Sequence, residues 1–231
     1  MKLSGIKLLT IDLDDTLWPC SPTIQHAEQT SYNWLKQHKP EITHCYSPED
    51  LLEKRKRLMR EASHLKHDLS EARRAHFREL ADEFGYDYDW VEEGFKVFHA
   101  ARQKVNLYED VLPSLSRLHE RFKLVALTNG NADISRVGLA EHFDLQISAA
   151  DVEQGKPHPS MFIEAMKRMQ VAPEQTIHLG DHAIHDVYGA RNAGILSIWI
   201  NRTQQAWQET EFQADYEVAD LHQVLALFDQ G

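Results

Sequence analysis

Near the start of the chain a short run rich in Ile and Leu, residues 7–13, leads straight into Asp12, Asp14, Asp15 and Thr16. A stretch that short and apolar reads as a strand buried on both faces, and the carboxylates mark the polar loop where it ends. Similar runs recur at 122–127, ending at Thr128-Asn129-Gly130, and at 176–179, ending at Gly180-Asp181. Further strands are predicted at 145–148, 195–200 and 216–218, and helical patterns at 111–121, 133–141, 159–169, 184–193 and 221–228. Strands alternating with helices predict a doubly wound parallel sheet covered on both faces, and so an α/β fold.

Between the first strand and the rest, residues 21–105 carry only helix signals. Ser21-Pro22 and Ser47-Pro48-Glu49-Asp50 each offer Ser as an N-cap with Pro at the first helical position. Apolar faces follow through Leu51, Leu58 and Leu65, through Ala72, Leu80 and Phe84, and through Trp90, Phe95 and Phe98, with Gly85 a terminator. The predicted organisation is an α/β domain of residues 1–17 and 108–231 with an all-helical insert at 18–107. No internal repeat, low-complexity tract or Pro/Ser linker interrupts it.

Charge narrows the class of partner. With 25 Lys and Arg against 36 Asp and Glu, the formal net charge is −11, which disfavours general binding to nucleic acid. The run Lys54-Arg55-Lys56-Arg57 lies among Glu49, Asp50, Glu53 and Glu61 and reads as a solvated helix face. Cys20 and Cys45 show no metal-ligand spacing and read as thiols of a reducing compartment. No window is apolar enough for a membrane span, and Lys7 and Asp12 interrupt any signal-peptide core, so a soluble cytoplasmic protein is expected. With 14 His in the chain, the pairs His64/His67 and His182/His185 are read as chance spacings rather than metal sites.

Ligands of open parallel sheets bind beyond the carboxyl ends of the strands. Asp12, Asp14, Thr128, Asn129, Asp181 and, one helical turn on, Asp186 all fall there, with Lys156 in a Gly155-Lys156-Pro157 turn before a helix. Carboxylates gathered at one sheet edge repel one another unless a cation joins them, and oxygen ligands suit a hard divalent ion such as Mg²⁺.

Asp12-Leu13-Asp14-Asp15-Thr16, Leu127-Thr128-Asn129, Lys156 and Gly180-Asp181 with Asp186 resemble, in order, the four motifs of the haloacid dehalogenase superfamily. The helical insert looks like the C1-type cap of its subfamily I. That resemblance implies a Rossmann-like core and a Mg²⁺-dependent phosphatase of small phosphorylated metabolites. It is similar to bacterial enzymes acting on flavin mononucleotide and on a phosphorylated riboflavin precursor. It implies Asp12 as nucleophile and Asp14 as general acid and base. Metal contacts would come from Asp12, the Asp14 backbone carbonyl and Asp181, with Thr16 and Asp186 outside them. Thr128, Asn129 and Lys156 would hold phosphate, and Trp18 is a candidate to stack on a flat substrate ring. A 2-haloacid dehalogenase, a phosphomutase and a non-catalytic binding protein are the alternatives. The first uses an Asp nucleophile but leaves Asp14, Asp181 and Asp186 without a task.

Overall fold

The structure, a computed structural model, describes residues 3–152 and 154–229, apart from the side chains of residues 63 and 64. It divides into two compact units, Met1–Pro19 with Asn106–Gly231, and Cys20–Val105. The first holds one six-stranded sheet made of β1 (Leu8–Ile11), β2 (Lys123–Thr128), β3 (Leu145–Ser148), β4 (Thr176–Gly180), β5 (Leu196–Ile200) and β6 (Tyr216–Val218). All pairings are parallel, in the order β3-β2-β1-β4-β5-β6. The chain thus builds outward from β1 on one side, then returns to build on the other. The crevice at such a reversal opens at the carboxyl ends of the flanking strands. Register places Ile11 beside both Ala126 and Leu179, so the carboxyl ends of β1, β2 and β4 fall within two residues of one another.

Period-two alternation sends Leu8, Val125, Leu127 and Ile147 to one face, where they pack with Met161, Phe162 and Ala165 of helix Ser160–Met169. The helix Val111–His119 contacts β2 and the final helix, Leu221–Asp229. The α/β reading of the sequence holds, with two corrections. The helix predicted at 133–141 is a series of turns closed by a short 3₁₀ segment, Ala140–His142. Local bonds compete with the helix there: Asp133 Oδ1 accepts from Ser135 N at 2.8 Å, Gln146 Oε1 from Ile134 N at 2.8 Å, and Gly138 sits at φ 82°. The segment predicted as one helix at 184–193 begins as a π-helix, Ala183–Tyr188, before Gly189–Asn192 becomes α-helical.

The second unit consists of α1 (Cys20–His38), α2 (Pro40–Cys45), α3 (Pro48–Glu61), α4 (Leu69–Phe84) and α5 (Val91–Arg102), with short 3₁₀ turns between. Ser47 and Asp50 form a reciprocal capping box on α3, and Gly85, at φ 70°, ends α4. Ser21 is not a cap, because α1 already starts at Cys20. Leu35, Ile42, Leu51, Phe77, Leu80 and Trp90 make its core. The basic run is less solvated than expected, since all four cations meet carboxylates. Lys54 pairs with Glu83, Arg55 with Glu28, Lys56 with Glu53 and Arg57 with Glu79. The Lys54 and Arg55 side chains are only 15% and 12% exposed. The side chain of His64 lies outside the described residues.

Arg73 joins Arg55 on Glu28, and next to this cluster lies the buried His76. Burial, then Arg55 and Arg73, push the His76 imidazole down to about 3, so it stays neutral in the folded chain. A base held below its ordinary value adds stability above about pH 6.5, and this is lost as pH falls toward the folded value. His76→Leu removes that loss. The unfolding free energy of the variant relative to wild type should therefore rise as pH falls from about 7 to about 5, by up to about 1.4 kcal/mol per pH unit, as measured by denaturant unfolding. A difference that stays constant across that range contradicts the assignment.

Candidate active site

Asp12 follows β1 directly, and its N–H donates to Leu179 O at 2.9 Å, which fixes it against β4. Thr128 closes β2, Asp181 follows β4, and Lys156 arrives from the loop before the helix Ser160–Met169. Asp12, Asp14, Thr128, Asn129, Lys156, Asp181 and Asp186 line one cavity of about 160 Å³. Thr16 and Trp18 do not line it; they hold residues that do.

Lys156 is the only cation among the lining residues and is 5% exposed. Its ammonium donates to Asp12 Oδ1 at 2.5 Å, Asp186 Oδ1 at 2.6 Å and Leu127 O at 3.1 Å. Burial works against its charge, but Asp12 and Asp186 outweigh burial and hold it above the ordinary lysine range. The Asn129 side chain is committed to the same residue. Its Nδ2 donates to Lys156 O at 2.7 Å and its Oδ1 accepts from Lys156 N at 2.8 Å. The amide group expected at the phosphate therefore serves as a bracket for the lysine backbone. Thr128 Oγ1 accepts from Gly130 N at 2.9 Å, which shapes the turn after β2.

Asp186 is more tightly held than its place in the sequence implies. Besides Lys156, its Oδ1 meets His178 Nε2 at 3.0 Å, and its Oδ2 accepts from His182 N at 2.9 Å. Burial raises the Asp186 carboxyl, but Lys156 and His178 overcome it and leave it well below the usual carboxylate range. His178, which carries no motif, is pushed down by burial and stays neutral. With Asp186 ionised, Nε2 is the protonated nitrogen, and Nδ1 accepts from the Thr10 hydroxyl at 2.9 Å. The π-helical turn carries Asp186, the amide comes from its N-cap His182, and His182 Nδ1 accepts from Ile184 N and His185 N. The two imidazoles stack at 4.1 Å, with Nδ1 of the first already engaged.

The loop after Asp12 is equally constrained. Asp15 adopts φ 60°, and the fully buried Thr16 turns its hydroxyl to Asp181 Oδ1 at 3.0 Å and Asp12 Oδ2 at 3.4 Å. Trp18, a candidate to stack on a flat substrate ring, has no exposed surface. Its indole N–H donates to Asp14 Oδ1 at 2.9 Å, so the residue orients a carboxylate instead.

Two carboxyls remain short of charge compensation. Burial, then Asp186 and Asp181, hold Asp12 well above its ordinary value despite Lys156. Burial and Asp186 push Asp181 up to about 7, with the Thr16 hydroxyl opposing. One oxygen each from Asp12, Asp181 and Asp186 lies within 4.8 Å of the other two. An all-oxygen set in which Asp12 and Asp181 resist ionising fits a hard divalent cation, which lowers the cost of their charge. The carboxylate of Asp14 stands outside this set.

The arrangement depends on one small residue. A Cβ on Gly180 would overlap Cγ and Oδ2 of Asp186. Gly180→Ala should therefore displace Asp186 at about 1–3 kcal/mol of stability and lower divalent-metal affinity about 10- to 100-fold. Calorimetric metal titration and thermal unfolding measure both. Wild-type affinity in the variant would show that Asp186 does not need this clearance.

The 5-amino-6-(5-phospho-D-ribitylamino)uracil phosphatase YigB of Escherichia coli is 28% identical to this chain over 205 residues, covering 86% of the chain and 84% of its own length. A glyceraldehyde 3-phosphate phosphatase of Methanopyrus kandleri is 30% identical over 225 residues, 94% of this chain and 92% of that protein. Among solved structures, a 2-haloacid dehalogenase from Pseudomonas syringae pv. Tomato is similar with TM-score 0.91 and 38% identity, over 97% of this chain and 99% of that one. The haloacid dehalogenase-like hydrolase family matches residues 6–194. With that match and a site at the carboxyl ends of β1, β2 and β4, the chain belongs to the haloacid dehalogenase-like hydrolases.

Proposed function

We propose that the protein is a Mg²⁺-dependent phosphatase of small phosphomonoesters that works through a phosphorylated Asp12. The observation that carries this reading is the gathering of Asp12, Asp181 and Asp186, one oxygen of each within 4.8 Å of the others, with Lys156 against the nucleophile and Asp14 two residues further on. Asp12 attacks phosphorus, an Asp12–phosphorus bond forms, and the bond from phosphorus to the ester oxygen breaks. Asp14, held by Trp18, gives its proton to the departing alkoxide and later takes one from the water that attacks phosphorus. That second attack frees inorganic phosphate and restores the Asp12 carboxylate. Lys156, the Thr128 hydroxyl and the Asn129 backbone amide would stabilise charge on the transferring oxygens, with Gly130 N holding the Thr128 hydroxyl in place. Mg²⁺, held by Asp12, Asp181 and the Asp14 backbone carbonyl, would offset the repulsion between carboxylates and phosphate, with Asp186 and Thr16 holding that set in place.

For substrate, the name of the Escherichia coli relative supports 5-amino-6-(5-phospho-D-ribitylamino)uracil, and flavin mononucleotide rests on the motif resemblance alone. The helical unit would act as a cap that selects among esters. Since Trp18 is buried and bonded to Asp14, selection of a flat ring falls to other side chains.

The Pseudomonas syringae structure favours a second reading, dehalogenation of a 2-haloacid. That reaction needs no proton for its halide and no cation. It also brings a substrate carboxylate to a site already rich in them. The two separate cleanly. Asp12→Asn, with the fold intact, should lower phosphatase kcat more than about a thousandfold, and chelation of wild type should abolish activity that Mg²⁺ restores. Full activity in excess chelator, or halide release from a 2-haloacid without phosphate release from any ester, would overturn the proposal.

A further inference from the structure

Thr16 is the residue through which the Asp12 loop meets Asp181, and its own position is set from far along the chain. Arg202, just beyond β5, donates through Nε to Thr16 O at 2.9 Å. Its two terminal nitrogens form a fork on Asp110, Nη1 to Oδ1 and Nη2 to Oδ2, each at 3.0 Å. Asp110 Oδ2 also accepts from Leu221 N at 2.7 Å, which anchors it to the start of the last helix. The guanidinium lies 4.0 Å from the centre of the Tyr108 ring, and Tyr108 N donates to Leu17 O at 3.0 Å. Two successive carbonyls of the loop, Thr16 and Leu17, are thus held by one cluster, all of it within the α/β unit.

We infer that Arg202, fixed by Asp110, is a positioning residue that holds the Asp15–Thr16 turn so that the Thr16 hydroxyl aligns Asp12 with Asp181. The left-handed conformation of Asp15 is one that a non-glycine residue keeps only where its surroundings over-determine it. The bidentate fork supplies that constraint. A guanidinium fits two carboxylate oxygens and a carbonyl at fixed angles, whereas an ammonium carries the same charge without the geometry. Arg202 bonds to neither Asp12 nor Asp181 and reaches them through Thr16, with Tyr108 bracing the next carbonyl. The kinetic part of this inference rests on Asp12 and Asp181 being the working carboxylates; the structural part does not.

Amide exchange at Asp15 and Leu17, whose N–H groups donate to Trp18 O and Leu13 O at 2.8 Å each, reports the turn directly. In Arg202→Gln, these amides should exchange at least about tenfold faster while those of β1 and β4 keep wild-type protection. With a phosphomonoester, kcat should fall about 10- to 100-fold with KM within about threefold, since ground-state contacts are untouched. Arg202→Lys should behave like Arg202→Gln, because it retains charge and loses the fork. Should Arg202→Gln not fold, Asp110→Asn, which keeps one acceptor oxygen, should shift the same amides in the same direction by less. Wild-type exchange at Asp15 and Leu17, or full kcat in Arg202→Lys, overturns the inference. So does faster exchange spread evenly over β1 and β4, which would make Arg202 a general stabiliser. The exchange experiment needs neither substrate nor metal. A loosened turn in a chain that hydrolyses no ester would defeat the phosphatase proposal and leave the clamp standing, and a rigid turn in an active variant would do the opposite.

Discussion

The buried ammonium of Lys156 between Asp12 and Asp186 is the interaction on which the rest of the site depends. Removing one partner of such a pair strands a charge away from water, at a cost of about 3–5 kcal/mol. Much of the surrounding structure serves to keep this contact in one geometry. Asn129 brackets the lysine backbone, His178 and the His182 amide fix Asp186, and Gly180 leaves room for that carboxylate. The π-helical turn at Ala183–Tyr188 belongs to the same design, since it brings to a backbone donor an acid that a regular helix would present differently.

One lysine does not balance the set. Asp186 takes the benefit of Lys156 and stays ionised, while Asp12 and Asp181 are held toward their neutral forms by burial and by their neighbours. The pocket therefore presents one settled charge pair beside two carboxyls that a cation would draw into ionisation. Under the proposed function, this division would let a strongly acidic chain receive an anionic ester, because the field at the site is set locally rather than by the net charge.

Much of this could be read from the chain. Short runs with buried Leu, Ile or Val ending in Asp12, Thr128 or Asp181 announce strands and loop ends together, because parallel strands are buried on both faces and ligands gather at their carboxyl ends. Side-chain direction could not be read. Trp18 follows the Asp14 loop whether its indole faces a ligand or Asp14, and Asn129 sits beside Thr128 whether its amide meets phosphate or the Lys156 backbone. Arg202 was invisible for a different reason. It is 186 residues from Thr16 and 92 from Asp110, carries no local motif, and acquires its role only when β5 is laid beside β4. The segment at 133–141 failed as a helix because Asp133, Gln146 and Gly138 offer its backbone closer alternatives.

The central claim, that Asp12 carries the phosphoryl group and that water attacks phosphorus, is tested most directly by turnover in heavy-oxygen water. Many cycles on a phosphomonoester with Mg²⁺ should place the heavy oxygen in released inorganic phosphate and leave the Asp12 peptide at its natural mass. Heavy oxygen in the Asp12 carboxylate would mean that water attacks the carboxyl carbon, as in hydrolysis of an alkyl ester intermediate, and would contradict the account.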